Sequence, residues 1–137
     1  MKTLFMLILL TLGSTIAQAQ DEAPLTLRTN VGVVVYTPSK SHGTFDAKWS
    51  HSTNGSGTGR LIGGPVKGIA GNYKALYFDE QGKEKFSLDL IIENQGDHYA
   101  LTYKVDGETI CIGLGNEVSG NLVAGYSFVH EKWLDRP

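Results

Sequence analysis

The sequence predicts an all-β fold, an antiparallel up-and-down meander of about seven to eight strands closed into a small barrel. Three observations carry this. Apolar and polar residues alternate with period two in several segments, as a sheet with one buried face requires. Glycine-centred turn signals separate those segments. No stretch after residue 20 shows the three-to-four-residue apolar spacing of an amphipathic helix.

The chain opens with a leader rather than with the fold. Lys2 precedes an apolar run from Leu4 to Leu12, and Ala17-Gln18-Ala19 places small residues where a signal peptidase reads. The run is shorter than the roughly 20 residues that span a bilayer. Residues 1–19 therefore read as a signal peptide, and residues 20–137 as a single exported domain, periplasmic or extracellular. An exported chain with one cysteine, Cys111, cannot close an internal disulfide, so sheet packing must supply its stability.

Strands are expected in order at 25–36, 43–51, 57–63, 71–78, 83–93, 98–105, 108–115 and 121–129. Residues 86–92 put Phe86, Leu88, Leu90 and Ile92 on one face. Residues 99–105 do the same with Tyr99, Leu101, Tyr103 and Val105, and residues 121–128 with Leu122, Ala124, Tyr126 and Phe128. Between them, Asp79-Glu80-Gln81-Gly82, Asn94-Gln95-Gly96, Asp106-Gly107 and Ser119-Gly120 turn the chain, because glycine accepts positive φ at little steric expense. Sequential hairpins favour a closed barrel, which removes exposed sheet edges.

A repeat runs through this pattern. Phe45, Trp49 and Gly59 recur as Tyr99, Tyr103 and Gly113 at the same spacing, which divides the domain into related strand–turn–strand units at about 25–64 and 66–129, with Pro65 at the joint. Aromatic residues four apart on a strand share a face. Both pairs, with Tyr126, are therefore expected to line one interior, and glycines at 57, 59, 113, 115 and 125 leave room for rings or for curvature.

The run from Gly71 to Ser127 is similar to small exported bacterial barrel proteins of calycin-like or avidin-like type, mostly of unassigned function. The resemblance lies in Gly71-Asn72-Tyr73, the Asp79–Gly82 turn, Gly96-Asp97-His98-Tyr99, Gly113-Leu114-Gly115 and Gly120-Asn121-Leu122. It implies a lipocalin-like barrel and a binding role. Lipocalins and avidins open with Gly-x-Trp, where this chain has Gly43-Thr44-Phe45. No biotin-binding set of polar residues maps onto the sequence.

Charge excludes some partners. A net charge of −2 and a pI near 6.0, with scattered Lys and Arg, give no electrostatic footprint for nucleic acid. Membrane insertion after signal cleavage is not expected, since most strands are shorter than a membrane barrel needs. No cofactor and no metal is implied. His42, Asp46 and His51 are metal-ligand types, but His51 falls on the opposite strand face from the other two. Cys111, between Ile110 and Ile112, reads as a small core residue rather than an activated thiol. Residues 55–60, Gly-Ser-Gly-Thr-Gly-Arg, lack the Lys-Ser/Thr and helix of a phosphate loop.

The functional expectation is a non-enzymatic exported binding protein. Phe45, Trp49, Tyr99, Tyr103 and Tyr126 would hold a small apolar ligand inside the barrel. Alternatively, loops 37–42 and 51–57 would frame a mouth that engages a partner, with His51, Asn54 and Ser56 as the contact residues. A second expectation is a periplasmic enzyme inhibitor or immunity-type protein acting through loop 51–57. A third is an enzyme using Cys111 with His98 or His130 as its base.

Overall fold

The computed structural model describes residues 30–134. The signal-peptide assignment and the expected strand residues 25–29 lie outside them. Eight strands follow in chain order: β1 (Gly32–Pro38), β2 (Phe45–His51), β3 (Gly55–Ile62), β4 (Gly71–Asp79), β5 (Glu84–Asn94), β6 (Tyr99–Val105), β7 (Glu108–Val118) and β8 (Asn121–Phe128). A 3-10 turn, Glu131–Trp133, follows β8. Every strand pairs antiparallel with its sequence neighbour, and β1 closes on β8 through Gly32↔Tyr126, Val34↔Ala124 and Tyr36↔Leu122. The predicted closed meander is what forms.

Turn chemistry sets these pairings. Asp106 and Gly107 both take positive φ (49° and 79°), as do Ser119 and Gly120 (52° and 82°). Two consecutive residues of that kind match the right-handed twist of the strands they join. Residues facing inward then follow from alternation. Leu61, Leu90, Leu101, Ile110 and Leu122 are at most 1% exposed, each contributing roughly 1.5–3 kcal/mol by burial.

Most strand bounds shift by one to three residues from the sequence reading, β7 running on to Val118 and β1 starting only at Gly32, and two shifts bear on the expected loops. β1 runs through Thr37 and Pro38, which had been assigned to the first loop; Pro38 pairs only with Phe45, beyond the reach of β8, so no ladder donor is missed. β3 starts at Gly55 rather than 57, so the expected loop 51–57 shrinks to a turn at 52–54. Connections in a meander also alternate ends. Residues 39–44 sit at one end with 63–70, 95–98 and 119–120. Residues 52–54 sit at the other with 80–83, 106–107 and the Glu131–Trp133 turn. Loops 37–42 and 51–57 therefore cannot frame one mouth.

β2 and β6 stand four strands apart in the eight-strand ring. The repeated pairs Phe45/Trp49 and Tyr99/Tyr103 thus face each other from opposite walls. β4 and β8 are related in the same way, with Ala75 and Tyr77 matched by Ala124 and Tyr126.

Candidate functional site

The expected ligand residues divide between the two ends. Phe45 opens β2 at the first end, where its ring meets Tyr73 edge-on at 5.8 Å. Tyr99 opens β6 at the same end and is half-buried. Trp49, Tyr103 and Tyr126 lie toward the second end and line one largely apolar pocket together with Asn54. Tyr36, Tyr77, Phe86, Phe128 and Cys111 complete much of the wall. The cavity holds only about 30 Å³. Ligand pockets for drug-sized molecules run to roughly 300–1,000 Å³, so the barrel interior is a packed core with a residual void.

Polar groups inside this core are tied down. The Trp49 indole N–H is shared between the carbonyls of Thr58 (3.0 Å) and Phe78 (3.1 Å). Gly57 makes that approach possible, since a Cβ there would fall 1.8 Å from the Phe78 oxygen. The Tyr36 hydroxyl lies 2.5 Å from that of Tyr77 and 2.9 Å from that of Tyr103. Burial pushes all three phenols well above their ordinary range, reinforced at Tyr36 by the two neighbouring tyrosines. Desolvation likewise pushes up the thiol of Cys111. These groups stay protonated, which leaves Cys111 far from the thiolate that nucleophilic or metal chemistry requires.

His51, Asn54 and Ser56 were expected to present a partner loop, and the structure turns the first two inward. His51 is 6% and Asn54 7% exposed. The His51 Nδ1 accepts from the backbone N–H of Thr53 (3.1 Å) and of Asn54 (3.3 Å), so its proton sits on Nε2 and is donated to Asn30 Oδ1 at 3.2 Å. Its ring packs edge-on to Phe128 and tilted over Tyr126. Asn54 Nδ2 donates to the Trp133 carbonyl, fastening the C-terminal turn over this end. Ser56 remains at the surface and donates to Glu80 at 2.6 Å. The β2–β3 turn is a brace that closes the barrel. His42 belongs to the 39–44 loop at the other end, so the structure separates it from His51 by the length of the barrel. No group of three or more His, Cys, Asp or Glu among the described residues is placed to hold a metal.

The outer wall of the barrel distributes its charge unevenly. On β2–β5 it bears charge, including the pairs Asp46–Arg60 and Lys74–Asp89. On β6–β7–β8–β1 the outward positions are Ala100, Thr102, Lys104, Ile112, Leu114, Asn116, Val118, Val123, Gly125, Ser127, Val33 and Val35, with Val31 just before β1. Charge is sparse there: Lys104, opposite Asp89, and Glu108, ion-paired with Lys132, lie toward the second end, and Glu117 is exposed near the first. Val31, Val33, Ile112, Leu114 and Val118 are each more than half exposed. Cross-strand register puts Leu114, Gly125 and Val33 in one row and Asn116, Val123 and Val35 in the next. Four strands at about 4.8 Å spacing and six residues at about 3.4 Å rise make this face on the order of 400 Å². Apolar patches of that size on monomers often mark an interaction site. The alternation 112/114/118 and 31/33 was present in the sequence, but it signals only a face opposite the core until closure shows which strands adjoin.

No protein-family model gives a significant match to the chain, nor does any curated protein or solved structure.

Proposed function

We propose that this chain is an exported, non-enzymatic binding protein of calycin-like architecture that engages a protein partner through its charge-poor wall. The observation that carries the reading is the uneven spread of charge: across the middle of β7, β8 and β1 the outward side chains are apolar or neutral, while β2–β5 carry ion pairs and the few charges of β6–β7, Lys104, Glu108 and Glu117, sit near the strand ends. Interface cores are depleted of charge in the same way, and a rigid closed barrel loses little entropy on docking. The leader pattern of residues 1–19 supports export. A small ligand held in the interior is less favoured, because a 30 Å³ void accommodates little more than water. The inhibitor or immunity-type role remains compatible with a wall-borne partner. Its proposed loop offers less than expected, since His51 and Asn54 are buried and Ser52, Thr53, Gly55, Ser56 and Gly57 alone reach the surface.

A photo-crosslinking amino acid in place of Leu114, expressed in the producing cells, tests this. A discrete crosslinked protein is expected there, none from the same group at Lys74 on the charged wall, and loss of the complex in a Val33→Lys variant. Equal capture from both walls, or none from position 114, would overturn the reading.

A further inference from the structure

At the first end of the barrel the 39–44 and 63–70 loops are locked to each other. The Gly64 N–H donates to the Gly43 carbonyl at 3.0 Å. Gly43 has φ 68°, and a Cβ there would stand 2.4 Å from the Gly64 oxygen, so the two backbones touch. The Tyr73 hydroxyl donates to the Ile69 carbonyl at 2.6 Å and holds the second loop against the core. Between these loops and the β7–β8 turn lies a groove of about 240 Å³. Phe45, Ile69, Pro38, Pro65 and Val66 give it an apolar lining. Glu117 enters from β7. It pairs directly with the fully buried Leu122, so its side chain leaves the strand on the barrel's inner face, at the rim. Among the described residues no Lys, Arg or His forms an ion pair with its carboxylate.

We infer that this groove binds a small primary amine in its ammonium form, carried on a short aliphatic body. An ammonium brings a positive charge and three N–H donors, and it accepts nothing. Glu117 supplies the opposite charge, and the hydroxyls of Ser39, Ser41 and Thr44 with the imidazole of His42 supply further acceptors in the same lining. The aliphatic body packs on Ile69, Pro65 and Val66. Anionic ligands are disfavoured, because Glu117 repels them and the only Lys residues of these loops, Lys40 and Lys67, do not line the groove. Its volume falls below the roughly 300–1,000 Å³ that drug-sized ligands occupy, which suits an amine of a few carbons. The locked loops present these groups without first having to be ordered, and that lowers what binding costs. The groove is separate from the outer wall, so it stands if the partner reading fails.

Nitrogen-15 amide spectra of the purified protein, titrated with isoamylammonium chloride at constant ionic strength and neutral pH, test this. Saturable shifts are expected at residues 39–44, 65–69 and 117–120, with the second end of the barrel unmoved. Isovalerate has the same branched carbon skeleton with the opposite charge and should leave these amides unshifted. Glu117→Gln keeps the size of the side chain at an exposed strand end, so the variant should fold. It should bind the amine weaker by about threefold or more, as loss of a partly exposed ion pair implies. Val66→Ser should also weaken binding, through the lost apolar contact. Absence of saturable shifts at this end would overturn the proposal. So would equal affinity in a folded Glu117→Gln variant, or isovalerate binding as tightly as the amine.

Discussion

The ring of Tyr77 lies directly over Gly59, so that a Cβ built on the glycine would stand 2.6 Å from Tyr77 Cδ1 and 2.7 Å from the Leu76 carbonyl. One neighbour is an aromatic ring held by the Tyr36 hydrogen bond and the other is backbone, so neither yields easily. Gly59→Ala is therefore expected to destabilise by about 1–3 kcal/mol through overpacking. Gly125→Ala is its control. Gly125 faces outward and a Cβ there has nothing nearer than 3.8 Å, so the change should lie within about 0.5 kcal/mol of neutral. Urea denaturation of both variants measures the contrast, and equal losses would contradict the packing account.

High pH should unfold the barrel through its buried phenols. Tyr36, Tyr77, Tyr103 and Tyr126 all have raised pKa values, with burial as the largest cause. The unfolded chain releases these protons near pH 10, whereas the folded chain holds them. Their contribution to stability is thus fully present below about pH 10 and declines as pH rises through the folded values, by up to about 1.4 kcal/mol per pH unit for each tyrosine. Absorbance at 295 nm should show these phenolates appearing together with loss of structure. Their early, independent ionisation in a folded barrel would refute the burial argument.

Much of this architecture was legible in the sequence. Strand alternation and the Asp106-Gly107 and Ser119-Gly120 turns act locally, so eight strands could be placed with boundary errors of a few residues. The inward assignment of Phe45, Trp49, Tyr99, Tyr103 and Tyr126 rests on the same two-residue period. What alternation lacks is the third dimension. Tyr36 and Tyr77 carry the hydroxyl triad with Tyr103, but they belong to β1 and β4, which touch neither each other in the sheet nor β6. Only closure brings them together. His51 misled for another reason: a histidine beside Ser, Thr and Asn resembles a solvated loop until its ring is seen bracing the turn from inside. The charge-poor wall likewise needed β1 to meet β8.

Cys111 tests the enzymatic alternative. Its thiol is 3% exposed, and burial pushes its pKa up. Native protein at pH 8 is expected to resist alkylation by iodoacetamide and to label fully once denatured, as buried thiols do. Cys111→Ala should leave any biological activity intact while costing about 1–3 kcal/mol of packing. Rapid labelling of the folded protein would restore the thiol as a candidate nucleophile.

Replacing His51 should open the second end of the barrel. His51→Leu keeps apolar contact with Phe128 but removes the acceptor for the Thr53 and Asn54 N–H groups and the donor to Asn30. A buried donor left unmet costs about 1–3 kcal/mol. The loss should concentrate at the β2–β3 turn, with amide exchange at Thr53 and Asn54 accelerating more than exchange in β5 or β6. Uniform acceleration throughout the barrel would mean that His51 supports the core generally rather than the turn.

Acid should release the C-terminal turn before it affects the barrel. Lys132 donates to Glu108 at 2.8 Å, and that hydrogen bond is the largest cause holding the Glu108 carboxyl below its usual value. A depressed carboxylate contributes stability above its unfolded pKa, and the contribution fades as pH falls through the lower folded value. Both partners are solvent-exposed, so the tether governs position more than global stability. As pH falls through that lowered folded value, Lys132 should let go. Trp133, buried on the same turn, should then become accessible to a fluorescence quencher while Trp49, pinned to the Thr58 and Phe78 carbonyls, stays protected. Glu108→Gln should produce the same selective quenching at neutral pH. If both tryptophans become accessible together, the turn is an integral part of the barrel core and the Glu108–Lys132 pair does not control it.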